Sequence, residues 1–93
     1  MKIILKETFL RQLERQVEYI AKDSPDRARH FKNEVVVRIR NIVTNPYQFR
    51  KSVFFNDILI RDMVFKGYVI VFRITPHTIE VFGFVNYQNS VTD

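Results

Sequence analysis

Two arginines, Arg61 and Arg73, stand in runs whose residues alternate like strands. Arginine is the side chain best suited to hold a phosphate that is gaining charge, because its planar fork grips two oxygens at once. Cleavage of an RNA strand by its own 2′-hydroxyl needs that grip. It also needs a group to take the hydroxyl proton and a group to protonate the leaving oxygen. Arg61 shares strand parity with Leu59, Met63 and Phe65, so one charge interrupts an apolar row and must reach a cleft or a partner. The plainer role for both arginines is an ion pair with Asp57, Asp62 or Glu80 that ties a sheet together.

Arg50, Lys51 and Lys66 are suited to phosphate contact without sequence preference. Around them Tyr47, Phe49, Phe54 and Phe55 offer faces on which bases stack, although rings in such a segment more often cover a core. His30 lies in a helical run among basic residues, and His77 in a turn after Pro76. Neither has Asp or Glu at metal-ligand spacing, so no metal site is expected, and no cofactor either.

These residues need elements to position them. Lys2-Ile3-Ile4-Leu5 reads as a short strand. From about Glu7 to Lys22 the pattern is helical, with Leu10, Leu13, Val17 and Ile20 on one face. Ser24-Pro25 restarts the helix: Ser24 caps it and Pro25 takes the first position, where its missing N–H costs nothing. The second helix carries Ala28, Phe31, Val35, Ile39 and Ile42 on one face, with Val36, Val37 and Val43 broadening it. Asn45-Pro46 stops it. Residues 47–57 are expected to be a loop that packs. Strands are expected over Ile58–Phe65, Tyr68–Thr75 and Thr78–Tyr87, joined by Lys66-Gly67 and Pro76-His77 as hairpins. The fold class is therefore α+β, in the order β-α-α-β-β-β, with a helical hairpin packed on a small, mainly antiparallel sheet. The polar stretch from Asn86 to Asp93 is expected to fray.

Composition agrees with one domain over residues 1–93. The hydrophobic fraction is 46%, with nine Phe and four Tyr to fill a core. Without cysteine there is no disulfide scaffold. Met1 to Lys6, followed by Glu7 and Arg11, does not resemble a signal peptide, and no apolar run reaches the roughly 18 residues of a membrane span. A cytoplasmic location is expected. Residues 27–73 hold ten Lys/Arg against Glu34, Asp57 and Asp62, a net of +7, while the whole chain is +5. That concentration favours a polyanion or an acidic protein as partner.

Several runs resemble RelE/ParE toxins of bacterial type II toxin–antitoxin modules. Tyr19-Ile20-Ala21-Lys22-Asp23-Ser24-Pro25, with Ala28 and Phe31, resembles the helix junction of the ParE-like branch. Asn45-Pro46 resembles the end of its second helix, and Ile60-Arg61-Asp62-Met63 one of its strands. Gly67-Tyr68-Val69-Ile70-Val71-Phe72-Arg73-Ile74 resembles its "GYxixYRi" strand, and Ile79 to Val85 its last strand.

The resemblance implies a growth-arresting toxin, of the kind that stabilises plasmids, neutralised by a cognate antitoxin that wraps it. ParE-like members poison DNA gyrase, and RelE-like members cleave mRNA in the ribosome. If the chain were such a nuclease, Arg61, Arg73 and Tyr87 would be its catalytic candidates, Tyr87 as proton carrier or stacking ring. Two departures weaken that. Nucleases of the family carry Arg just after the Tyr of the "GY" strand, and this chain has Val69. Val85-Asn86-Tyr87-Gln88-Asn89 stands where relatives end in a run with Arg and His. A gyrase-binding toxin without chemistry is the favoured expectation. The alternatives are a ribosome-dependent mRNA interferase and a binding module that has lost toxicity. The antitoxin is expected to be acidic where it touches residues 27–73.

Overall fold

The computed structural model describes residues 1–87. Its order is β1 (Lys2–Leu5), α1 (Glu7–Asp23), α2 (Pro25–Asn41), β2 (Arg50–Lys51), β3 (Ile60–Phe65), β4 (Tyr68–Ile74) and β5 (Thr78–Asn86). The strands form one sheet in the order β1-β5-β4-β3-β2. Only β1 against β5 is parallel; the other pairs are antiparallel. This is the expected α+β layout with one strand more. Of the stretch expected to fray, residues 88–93 lie outside the described residues.

Local chemistry fixes the helical hairpin. Ser24 serves both helices: its N–H donates to Ile20 O, and its Oγ accepts from the Arg27 N–H at 3.2 Å. Pro25 follows at the first position of α2. The buried face of α1 is set by Phe9 and Leu13, whereas Leu10, expected inside, is 44% exposed. On α2, Ala28, Val35 and Ile39 are buried as expected, but Val37 faces solvent.

The helices cover one face of the sheet. There Phe9, Leu13, Val35 and Ile39 meet Met63, Phe65, Ile70, Phe72, Ile79 and Val81 in the main core. Half-buried Phe31 packs on Phe65 and Tyr68. The other face has no helix among the described residues, yet Ile60, Val69 and Val71 are at most 3% exposed, because Phe82, Val85 and Tyr87 pack around them.

Two features shape the sheet. Lys66 and Gly67 both have positive φ, 50° and 84°, the signature of a two-residue turn whose twist matches the flanking strands. It pairs Phe65 with Tyr68 and thereby fixes the β3–β4 register. On β5, Val71 lies opposite Gly83 while Phe72 lies opposite Val81, so Phe82 is an extra residue and the ladder is interrupted. Gly83 is there because of close approach: a Cβ on it would lie 3.0 Å from Val71 Cβ. The Phe84 N–H is satisfied from the helix layer, by Gln12 Oε1 at 3.0 Å.

The segment expected as a packed loop over 47–57 is more ordered than that. A short 3₁₀ turn spans Pro46–Gln48, and β2 then pairs with β3 through Arg50–Asp62 and Lys51–Arg61. The following strand begins at Ile60, not Ile58. Asp57 closes a turn first: its Oδ1 accepts from the Leu59 N–H and its carbonyl from the Ile60 N–H.

Candidate functional site

Residues that pair directly across an antiparallel ladder point to the same face. Arg61 pairs with Phe72, so it points to the helix side; Arg73 pairs with Ile60, so it points to the open side. The two arginines are on neighbouring strands and on opposite faces of the sheet. Arg61 braces the segment above it: its Nε donates to Ile58 O at 2.9 Å and its Nη1 to Phe49 O at 3.0 Å. Its guanidinium also lies 5.1 Å from the centre of the Tyr47 ring. Arg73 sits 3.9 Å from Glu80 and over the Phe82 ring, the plain ion pair that its strand position suggests. Tyr87 is on the open side, its ring 6.0 Å from that of Phe54 and its N–H donating to Gly67 O. The fold does not bring Arg61 together with Arg73 and Tyr87.

The cations suited to phosphate are also partly engaged. Arg50 donates through Nε and Nη2 to Asp62 Oδ2, at 3.3 and 3.2 Å. Lys66 donates to Glu34 at 3.0 Å, across from the turn to α2. Lys51 stands exposed on β2, the edge strand. Ion pairs Arg27–Asp23 and Arg29–Asp26, whose carboxylates lie outside residues 27–73, answer part of the +7 excess internally, and Arg38 shares Glu34 with Lys66. Val69, where the resemblance leads one to expect Arg in a RelE-like nuclease, is 0% exposed and sits in the apolar cluster of the open face.

His30 lines a cleft of about 590 Å³ between the helical hairpin and the β3–β4 turn, with Tyr19, Arg27, Glu34, Lys66 and Tyr68. His77 is exposed in the β4–β5 turn. Among the described residues no group of three or more His, Asp or Glu side chains converges as metal ligands would.

Burial pushes the Tyr68 phenol above its ordinary value of 10.0, and the nearby Tyr19 phenol raises it further. The unfolded chain then releases this proton at lower pH than the folded one does. Tyr68 therefore contributes stability that is present below about pH 10 and is lost as pH rises through the raised folded value. In an alkaline titration followed by tyrosinate absorbance, Tyr68→Phe is expected to remove the latest-titrating component. An unchanged titration end would contradict this.

Of two further surfaces, one was not legible as a site in the sequence and the other was read there only as rings on which bases could stack. The first is a groove of about 370 Å³ beside β1, formed by Leu5, Leu10, Leu13 and Val36 and flanked by Lys32 and Arg40. Here β1 is an edge strand. The Lys2 and Lys6 N–H groups bond to the β5 side, so by alternation those of Ile3 and Leu5 turn outward. Exposed Leu10 is the one sequence signal for this groove.

The second surface is the segment after β2, which crosses the open face. Val53, Phe54, Phe55, Ile58 and Leu59 are all 41–61% exposed. Its start is held firmly. Asp62, 2% exposed, accepts the Val53 N–H at 2.9 Å on the same Oδ2 that Arg50 binds. Buried Ser52 donates its N–H to Ile60 O and accepts the Phe54 N–H on its Oγ.

A family model described as "ParE toxin of type II toxin-antitoxin system, parDE" matches residues 3–88. No curated protein matches the chain.

Proposed function

The chain belongs to the ParE toxin family of type II toxin–antitoxin systems, and on that premise we propose that it arrests growth by binding DNA gyrase, without bond-breaking chemistry of its own. The observation that carries this reading is Val69. RelE-like nucleases usually carry Arg there, and in this chain the position is instead sealed among Ile60, Val71, Val85 and Tyr87. A cation in that place would have to be buried in an apolar cluster. The opposite facing of Arg61 and Arg73 adds to the case.

Its antitoxin presents an acidic segment, and the groove beside β1 suits that segment. Exposed leucines offer apolar area, Lys32 and Arg40 offer charge, and the outward edge of β1 offers main-chain groups to an extended partner. Lys32, Val36 and Arg40 lie within the basic region. A cytoplasmic location goes with this reading of the target and with an antitoxin partner. No helix among the described residues is long and apolar enough to cross a membrane.

The test adds purified protein to a gyrase supercoiling reaction and, separately, to a translation extract with mRNA. Supercoiling is expected to stop while the mRNA stays intact. Site-specific mRNA cuts that disappear in Tyr87→Phe would establish the interferase instead. Inactivity in both would leave a non-toxic binding module.

A further inference from the structure

We propose that the aromatic segment of residues 53–59, laid over the open face of the sheet, is the surface through which this toxin grips its protein target. The inference rests on the gyrase-binding reading and adds where on the toxin that contact is made.

Three observations converge. The first is exposure without need. The apolar cluster beneath is already nearly closed, with Val69 at 0% and Val71 at 2%. Phe54 meets it at a tilt, at Tyr87, and Phe55 edge-on, at Phe82, and they leave 41% and 44% of their surfaces to solvent. Ile58 and Leu59 add 61% and 41%. Apolar side chains clustered outward in this way mark an interaction surface, where singly scattered ones would not.

The second observation is that the segment is held in place before any partner arrives. Asp62 holds Val53, Ser52 holds Phe54, and Asp57 closes the far end at Leu59 and Ile60. Rings already fixed in position lose little freedom on docking, and such aromatic anchors carry most of the energy of protein contacts.

The third is charge. The side chains of Arg50 and Arg73, both on the open face, are 42% and 48% exposed. An apolar centre beside cations fits a protein surface with an apolar pocket ringed by carboxylates. Duplex DNA is a poorer match, since it would need rows of phosphate-facing cations where these apolar side chains stand. The surface also lies on the open face of the sheet, whereas the β1 groove that suits the antitoxin is lined by β1 and the two helices.

The experiment compares the full chain with Phe54→Ser/Phe55→Ser and with Arg73→Gln. Melting temperature is measured first, with Phe55→Ser alone as the variant of record if the double one unfolds. Four readings follow: growth arrest on induction, inhibition of purified gyrase on relaxed plasmid, co-purification with the antitoxin encoded beside the toxin, and retention of a DNA duplex without gyrase. The phenylalanine variant is expected to need at least about 30-fold more protein to inhibit gyrase, the effect of losing one anchor residue. It should no longer arrest growth, and it should still bind antitoxin. Arg73→Gln should weaken inhibition about fivefold, less so at high salt. Undiminished growth arrest by the phenylalanine variant overturns the inference. So does loss of antitoxin binding, which would give the surface to the antitoxin, or loss of duplex retention, which would give it to nucleic acid. A parent protein that arrests growth but leaves gyrase untouched defeats the gyrase reading itself, a result visible before any variant is compared.

Discussion

Arg50→Ala is expected to lower unfolding free energy by about 3 kcal/mol, and Asp62→Ala by about half as much. The asymmetry follows from where the two partners sit. The Asp62 side chain is 0% exposed, while that of Arg50 is 42% exposed. Remove the carboxylate, and the guanidinium turns into water. Remove the guanidinium, and a buried carboxylate keeps only the Val53 N–H. Asp62 has no reserve, because its Oδ1 is buried and has no hydrogen-bond partner, so every donor it has converges on Oδ2. For a domain of this size about 3 kcal/mol corresponds to a fall in melting temperature of more than 10 °C. Urea unfolding of both variants decides the matter. If Asp62→Ala proves the more damaging of the two, the account of this pair is wrong.

Val69→Arg restores the residue that a nuclease of the wider superfamily would carry, and it should fail as an enzyme because it fails to fold well. The expected cost is about 3–5 kcal/mol, since a cation is forced into a position of 0% exposure among Ile60, Val71 and Val85. Val69→Ala, which only removes two methyl groups, should cost about 2 kcal/mol. Soluble yield and thermal melting report the first effect, and incubation with translating ribosomes reports the second. A well-folded Val69→Arg protein that cleaves mRNA would show that the open face is a nuclease site lacking one residue, and the binding reading would then fall.

The helices were legible because Ser24-Pro25 carries its own capping chemistry and because α2 repeats its apolar residues at helical spacing. The phase of α1 was not, since Phe9 and Leu10 are adjacent and either starts an acceptable stripe; packing against Phe84 selects Phe9. The opposite facing of Arg61 and Arg73 was available in principle. A two-residue turn at Lys66-Gly67 sets Phe65 against Tyr68, and counting outward pairs Arg61 with Phe72 and Arg73 with Ile60. β2 was hidden because two charged residues carry no alternation. The partner of Asp62 was hidden with it: nearby Arg61 was the sequence candidate, but the pairing of β2 brings Arg50 to the carboxylate. The aromatic segment kept its rings, though their outward aim depends on three polar anchors that no periodicity reveals.

The parallel pairing of β1 with β5 has a consequence for synthesis. Lys2–Leu5 leaves the ribosome long before Thr78–Asn86, its one strand partner among the described residues. At ordinary elongation rates the helical hairpin waits on the order of seconds for that partner. Until then β1 has no ladder, the groove beside it has no fixed wall, and Phe82, Val85 and Tyr87 are not yet there to support the aromatic segment. Both surfaces are therefore completed by the same late event. A chain interrupted before β5 has nothing to grip a target with, and nothing for an antitoxin to silence.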